Sequence, residues 1–334
     1  MIAKVRCLLL ALAILLAGFT AAPSASALGC PAILVIPSAM RIQTRYLSAA
    51  LDPTRSRLDS AMVASQQVVR ADIAVPVRRI NLLADRYRTT PSKENARCLM
   101  SHLNAQARGR AMLDSVTDAD MFYREWMVGS LAISYFKAKS ALDRRADSVG
   151  FLAWLRLSAE SVQTFNQKRM DRGIIDNHRF WGGLAVLASG LALGDQPMIE
   201  FGRRVRRIGL LQVRADGTMP SELTRGAKSL HYHLFAAAPL ITSAVINGRP
   251  VTDAERSALT RLAGRIVEDT HNPDSIIAQR TGVTQSNVEH PVLYALLRPY
   301  LSGQPARLAK LDGLIANTPP TYLFLGGDTR YFIR

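Results

Sequence analysis

Two stretches of this chain set polar, proton-handling side chains among large apolar ones. The first is IIDNHRFW, Ile174 to Trp181, where Asn177, His178 and Arg179 stand in a row. The second is DGTMPSELTRGAKSLHYHLFAAAPL, Asp216 to Leu240, which gathers Arg225, Lys228, His231, Tyr232 and His233. Polar groups in apolar surroundings must reach water or find partners, and a site for a polar substrate supplies partners. Asn and Arg donate hydrogen bonds to anions; imidazole and phenol exchange protons. On a helix opening near Ser221, Arg225 and Tyr232 stand two turns apart on one face. Each residue also has an ordinary reading. His178 suits a helix start, Tyr232 a core position, Arg225 a solvated surface and DGTMP a turn. The pairing of the two stretches is what points to a site.

The elements that must position them read as helices almost throughout. MVASQQVVRADIAVPVRRINLLADRYR repeats apolar residues at spacings of three and four, with Pro76 as a break or kink. Ser92 is the expected N-cap of the next helix. DADMFYREWMVGSLAISYFKAKSAL carries Tyr123, Trp126, Leu131 and Tyr135 on a broad apolar face. GGLAVLASGLALG reads as a buried core helix, and no segment after the leader is expected to reach membrane-spanning length. TYLFLG is the best short strand. No Pro/Ser/Gly-rich linker divides the chain. The expectation is one all-α domain of antiparallel helix pairs, a bundle or an α/α toroid, behind an extended N-terminal stretch.

Lys4 and Arg6, the apolar run Cys7–Ala21 and the small residues Ala25–Ala27 read as a secretory signal peptide over 1–27. The mature domain is then 28–334, periplasmic or secreted. A lipid anchor at Cys30 is the alternative, although Ala27 stands where a larger aliphatic residue is preferred. Cys30 and Cys98 are the cysteines left in an oxidising compartment and are expected to form one disulfide. No Cys/His metal spacing appears, and His231-x-His233 falls in a helical context, so no metal and no cofactor are expected. The formal net charge is +16, of which the leader supplies two. That excess suits a polyanion: an acidic polysaccharide, an anionic membrane or extracellular nucleic acid. A generally basic proteome would produce the same excess.

DNHRFW resembles the NNHxYW signature of alginate lyases of the AlgL type, polysaccharide lyase family 5. The segment Asp216–Leu240 is similar to that family's DG-x-x-P-x-E-L-x-R-x-x-x-x-L-x-Y-H run. INLLADRYR, ARCLMSHLNAQA and EWMVGSLAISYFKAK add to the likeness, which covers about residues 75 to 245. The resemblance implies an incomplete α/α toroid and a secreted lyase that cuts a 1,4-linked polyuronate by β-elimination. Such a reaction neutralises the C6 carboxylate, removes the C5 proton and protonates the departing O4. By position, Asn177 and Arg225 would hold the carboxylate. Tyr232 would protonate O4 and, as a phenolate, take the C5 proton when both lie on one side. His178 would serve as base for the opposite stereochemistry or as a stabiliser of charge. Arg179, Trp181, Lys228, His233, Tyr123 and Trp126 are the expected substrate contacts. The implied partner is an acidic polysaccharide, with no nucleic acid, no stable membrane insertion after leader removal, and a monomeric state.

The chain departs from the family pattern at Asp176, where an Asn is usual, and at His231, Leu234 and Phe235. Asp176 adds a negative charge beside the carboxylate clamp unless it pairs with Arg172 or Arg179. These changes widen the expected substrate from alginate to polyuronates in general. Two other readings stay open: a non-catalytic scaffold that binds an exported acidic polysaccharide, and a glycoside hydrolase with a carboxylate pair drawn from Asp171, Asp176, Asp216 and Glu222.

Overall fold

Helices account for most of the computed structural model, which describes residues 29–143, 146–246 and 251–332. The expected leader, 1–27, lies outside the described residues. The chain divides into two units, Met1–Ala32 and Ile33–Arg334, and every described helix and strand falls in the second. The long helices are α1 (Gln67–Thr89), α2 (Lys93–Arg108), α3 (Asp118–Lys137), α4 (Ser148–Asp171), α5 (Asn177–Leu193), α6 (Gln196–Leu211), α7 (Ser229–Ile246), α8 (Asp253–Asp269) and α9 (Pro305–Ile315). A run of 3-10 turns, Pro291–Tyr300, lies between α8 and α9.

Local chemistry sets the helix starts. Ser92 accepts from the Asn95 amide and opens α2, as its sequence position suggests. Thr117 with Asp120 and Thr252 with Glu255 form capping boxes at α3 and α8. Asp176 and Asp195 cap α5 and α6. Pro76 does not break α1; the helix runs through it with the ring buried.

Helix α5 is the centre of the packing. It lies against α6, α3, α4 and α7, and nearly every residue from Asn177 to Ala192 is buried. Small residues let its neighbours close in. A Cβ on Gly202 of α6 would stand 2.5 Å from Leu187 Cβ and 2.7 Å from the Gly183 carbonyl. Helix α7 is also buried along its length. With the preceding turn, Gly226–Ile246 is long and apolar enough to cross a membrane, with a mean hydropathy of 1.3. The sequence reading missed that span. It is a core helix here, since 94% of the window is inside the protein.

Two other expectations change. The helix from Ser221 does not carry Arg225. Pro220–Leu223 makes one turn, Gly226 adopts φ +54, and Gly226–Lys228 winds as a 3-10 turn before α7 begins. TYLFLG contributes only two strand residues. β1 (Thr321–Tyr322) pairs antiparallel with β2 (Gly327–Asp328), in the register Thr321↔Asp328 and Tyr322↔Gly327. Gly326 at φ +71 and Gly327 at φ +97 turn the chain back.

The N-terminal stretch is extended, as its sequence suggests. Several of its backbone N–H groups bond to side chains, while the Pro37 and Ser38 carbonyls accept from the backbone of Met112 and Asp114. Ile36 N–H donates to Gln106 Oε1 at 2.9 Å, Met40 N–H to Ser115 Oγ at 2.9 Å and Ile42 N–H to Asp120 Oδ1 at 2.8 Å. These bonds satisfy buried donors and deliver the next residues, Arg45 and Tyr46, to the neighbourhood of Tyr232.

Gly202→Ala tests the close approach of α5 and α6. Overpacking predicts a loss of about 1–3 kcal/mol, read as a lower midpoint in urea unfolding with an unchanged slope. An unchanged midpoint would show that the helices can move apart freely.

Candidate active site

The start of α5 and the start of α7 converge. Asn177 and His178 are the first residues of α5, directly after the Asp176 cap; Asn177 is buried and His178 is partly exposed. Tyr232 lies in the first turn of α7 and is 7% exposed. Arg225, although off that helix, places its guanidinium carbon 3.9 Å from the centroid of the Tyr232 ring. Its Nη2 donates to the Arg55 carbonyl at 3.0 Å. Tyr232 Oη donates to Tyr46 Oη at 2.8 Å. Burial raises the Tyr232 phenol well above its ordinary value, with Arg225 opposing the rise. Tyr232 is therefore a phenol at neutral pH.

Asn177 is buried and gives Nδ2–H to Glu222 Oε2 at 3.1 Å, while its Oδ1 has no hydrogen-bond partner among the described residues. Burial lifts Glu222 to about 7, against the Asn177 bond. His178 Nδ1 lies 2.9 Å from Glu125 Oε1. Its ring stacks on Phe122 at 3.6 Å. Burial holds His178 down at about 4; Asp176 pulls upward, and Arg169, Arg225 and Arg55 push with burial.

Lys228 forms an ion pair with Glu289, which also takes Arg45 at 2.9 Å. Arg45, Lys228 and Arg225 stand 5.5, 5.1 and 5.6 Å from the Tyr46 ring centroid. Tyr123 is half-buried, with its ring 4.9 Å from that of Trp126. Trp126 stacks on Phe324 at 4.9 Å.

Three expected substrate contacts are structural instead. Trp181 is 1% exposed and packs on Phe235 at 5.0 Å, so it anchors α5 and presents no face to a sugar. Arg179 is buried and donates to the Ile174 carbonyl at 3.3 Å. His233 is fully buried, with Nδ1 bonded to the Ser229 carbonyl at 2.7 Å and Nε2 accepting from Met219 N–H at 2.9 Å. Both ring nitrogens are occupied. Asp176 pairs with neither Arg172 nor the Arg179 side chain. It accepts the Arg179 backbone N–H at 3.2 Å and pairs with Arg169 at 2.6 Å. Cys98 is buried on α2 and Cys30 is exposed; each is disulfide-bonded.

Sequence reasoning missed Tyr46, Glu125 and Phe122. Tyr46 gives no local signal, being 186 positions from Tyr232. Phe122 and Glu125 had one: with Trp126 they stand at i, i+3 and i+4 on α3, an acid between two aromatics on one face.

Similarity to known proteins identifies the family. A family model described as Alginate lyase matches residues 66–276. A polysaccharide lyase of Stenotrophomonas maltophilia is 30% identical over 272 residues, covering 78% of this chain and 79% of its own. An alginate lyase of Pseudomonas fluorescens is 26% identical over 319 residues, 90% of this chain and 83% of its own. A solved structure of a substituted alginate lyase A1-III complexed with tetrasaccharide shares the fold. Its TM-score is 0.69 at 20% identity, over 91% of this chain and 86% of that one. Helical fold, polar site and relatives together define a polysaccharide lyase. The chain belongs to the alginate lyase family.

The structural role of His233 is testable. His233→Ala leaves the buried Met219 N–H without its partner and removes the ring's bond to the Ser229 carbonyl, and should cost about 2 kcal/mol, read by chemical unfolding. Burial holds His233 at about 4, below its unfolded value. The unfolded chain then binds more protons between these values, so this contribution is present above about pH 6.5 and is lost as pH falls toward 4. A variant whose stability follows the parent's pH curve throughout this window would show that His233 is not so buried.

Proposed function

We propose that this enzyme cleaves a 1,4-linked polyuronate, polymannuronate or a related acidic polysaccharide, by β-elimination to leave unsaturated uronate ends. The observation that carries the reading is the Arg225 guanidinium over the Tyr232 ring, with Asn177 and His178 close by. Asn177 and Arg225 hold the C6 carboxylate, which makes the C5 proton removable. Glu222, lifted by burial to about 7, brings less negative charge to that clamp than an ordinary carboxylate would. Tyr232, protonated at rest, serves as the acid toward O4. As a phenolate, supported by Arg225, it is also the base for a proton on the same side. His178 stands where a second proton acceptor or a stabiliser of charge is needed. Lys228, Tyr123 and Trp126 extend the binding surface.

The wider reading follows the same family. The helices form an incomplete α/α toroid as a single domain over 28–334, monomeric and exported by the 1–27 leader to the periplasm or beyond. Cys30 and Cys98 pair with each other. The high positive charge favours encounter with a polyanion. The scaffold reading rested on Asp176 as a charge facing substrate, and Asp176 is engaged by Arg169 and the α5 cap instead. The hydrolase reading needs a pair of carboxylates facing each other across a cleft; Asp171 is engaged by Gln167, Asp216 by Thr218 and Arg280, and Glu222 by Asn177.

Tyr232→Phe and Arg225→Ala should each lower kcat by at least about 100-fold while melting near the parent temperature. The assay is ultraviolet absorbance of unsaturated uronate on polymannuronate, polyguluronate, glucuronan and hyaluronan. Retained turnover in both variants would refute the assignment. Because Tyr232 is raised, its phenolate fraction grows with pH, so kcat/KM should climb on the alkaline side. A rate that is flat from pH 7 to 9 would remove Tyr232 as the base.

A further inference from the structure

Helix α3 grips the His178 ring on several sides. Phe122 stacks at 3.6 Å and 22°, Trp126 lies at 5.5 Å and 27°, and Glu125 Oε1 sits 2.9 Å from Nδ1. The Glu125 side chain has no solvent exposure, and its Oε2 has no hydrogen-bond partner among the described residues. Asn166 of α4 is fully buried, with neither amide atom hydrogen-bonded among the described residues. A Cβ on Gly182 would strike Asn166 Nδ2 and come within 3.1 Å of Glu125 Oε2, so glycine keeps that space open. The charges facing the pair are Arg169 of α4, Asp176 at the α5 cap, and Arg225 and Arg55. Arg169 already pairs with Asp176.

The proton count of the pair decides what Nε2 can do. With one net negative charge, a carboxylate accepts from Nδ1–H and Nε2 is bare, ready to act as a base. With no net charge there are two arrangements. Either the carboxylic acid donates to Nδ1 and the imidazole hydrogen sits on Nε2, or a carboxylate faces an imidazolium with hydrogens on both nitrogens. In both neutral arrangements Nε2 carries a hydrogen. A carboxylate without exposure, holding one hydrogen bond and an unpaired second oxygen, costs several kcal/mol. The neutral pair is therefore favoured. Burial acts in the same sense on each partner, raising Glu125 well above the carboxyl range and lowering His178.

We infer that Glu125 is a positioning residue that keeps a hydrogen on His178 Nε2, so that His178 donates to negative charge in the site and does not take the substrate's proton. The catalytic half of this inference rests on the lyase reading; the placement of the hydrogen is a property of the resting protein. It leaves proton abstraction to Tyr232 and favours substrates whose C5 hydrogen and O4 lie on one side.

Nitrogen-15 NMR of histidine-labelled protein at pH 7, with His178→Gln to assign the ring, reads the tautomer directly. The expected result is a protonated Nε2. A protonated Nδ1 with a bare Nε2 overturns the inference, whether or not any polymer is cut. Kinetics tests the role. Glu125→Gln can still donate to Nδ1 and should keep kcat within about threefold. Glu125→Leu cannot, and should lower kcat about tenfold or more with KM within about twofold. An equal loss in both variants, or full kcat in Glu125→Leu, overturns the positioning role. If the parent cuts none of the four polymers, the lyase reading fails while the NMR result still decides where the hydrogen sits.

Discussion

Helix α5 meets protein on nearly every side, and the rest of the molecule is arranged around that constraint. A helix packed against four others cannot slide or turn without opening its core. Its first residues therefore have fixed positions. The Asp176 cap ends the loop there, and Asn177 and His178 follow at once. Small residues on α5 and α6 allow this burial, because larger ones would separate the helices. The precision of the site is inherited from the core beneath it.

The electrostatics follow from the same burial. Glu125 and Glu222 lie beneath His178 and Asn177, and loss of solvent favours their uncharged forms. Cations remain on the other side, from Arg225, Lys228 and Arg45, with Glu289 answering two of them. The buried acids orient their partners without filling the anion-binding space with negative charge. An acid in the same place but in water would ionise and repel a uronate.

Much of this was legible in the sequence, and the limits have physical causes. Helical periodicity, the Ser92 cap and the buried GGLAVLASGLALG helix follow from local patterns, and the structure has them. Arg225 lies over the Tyr232 ring and acts electrostatically on His178, which follows Asn177 at the start of α5. The shared helix expected for Arg225 and Tyr232 does not exist, because Gly226 breaks it; the two meet through tertiary folding instead. Trp181, Arg179 and His233 look like binding residues by neighbourhood, yet each is turned into the core. Nothing local separates an inward from an outward side chain in a helix that is buried all round. Tyr46 could not be found from spacing, since an extended segment carries it from the far end of the chain. Glu125 was within reach, as an acid between two aromatics on one helix face.

Helix α7 has a consequence for the chain before it folds. Gly226–Ile246 is apolar enough for a lipid bilayer to compete for it with the protein's own core. Its least lipid-compatible residues are Lys228, His231 and His233, near the N-terminal end. In the folded protein His233 is matched by Ser229 and Met219; in hydrocarbon those imidazoles would be costly to carry. The histidines beside the site thus bias the newly made chain toward its own interior and away from a membrane.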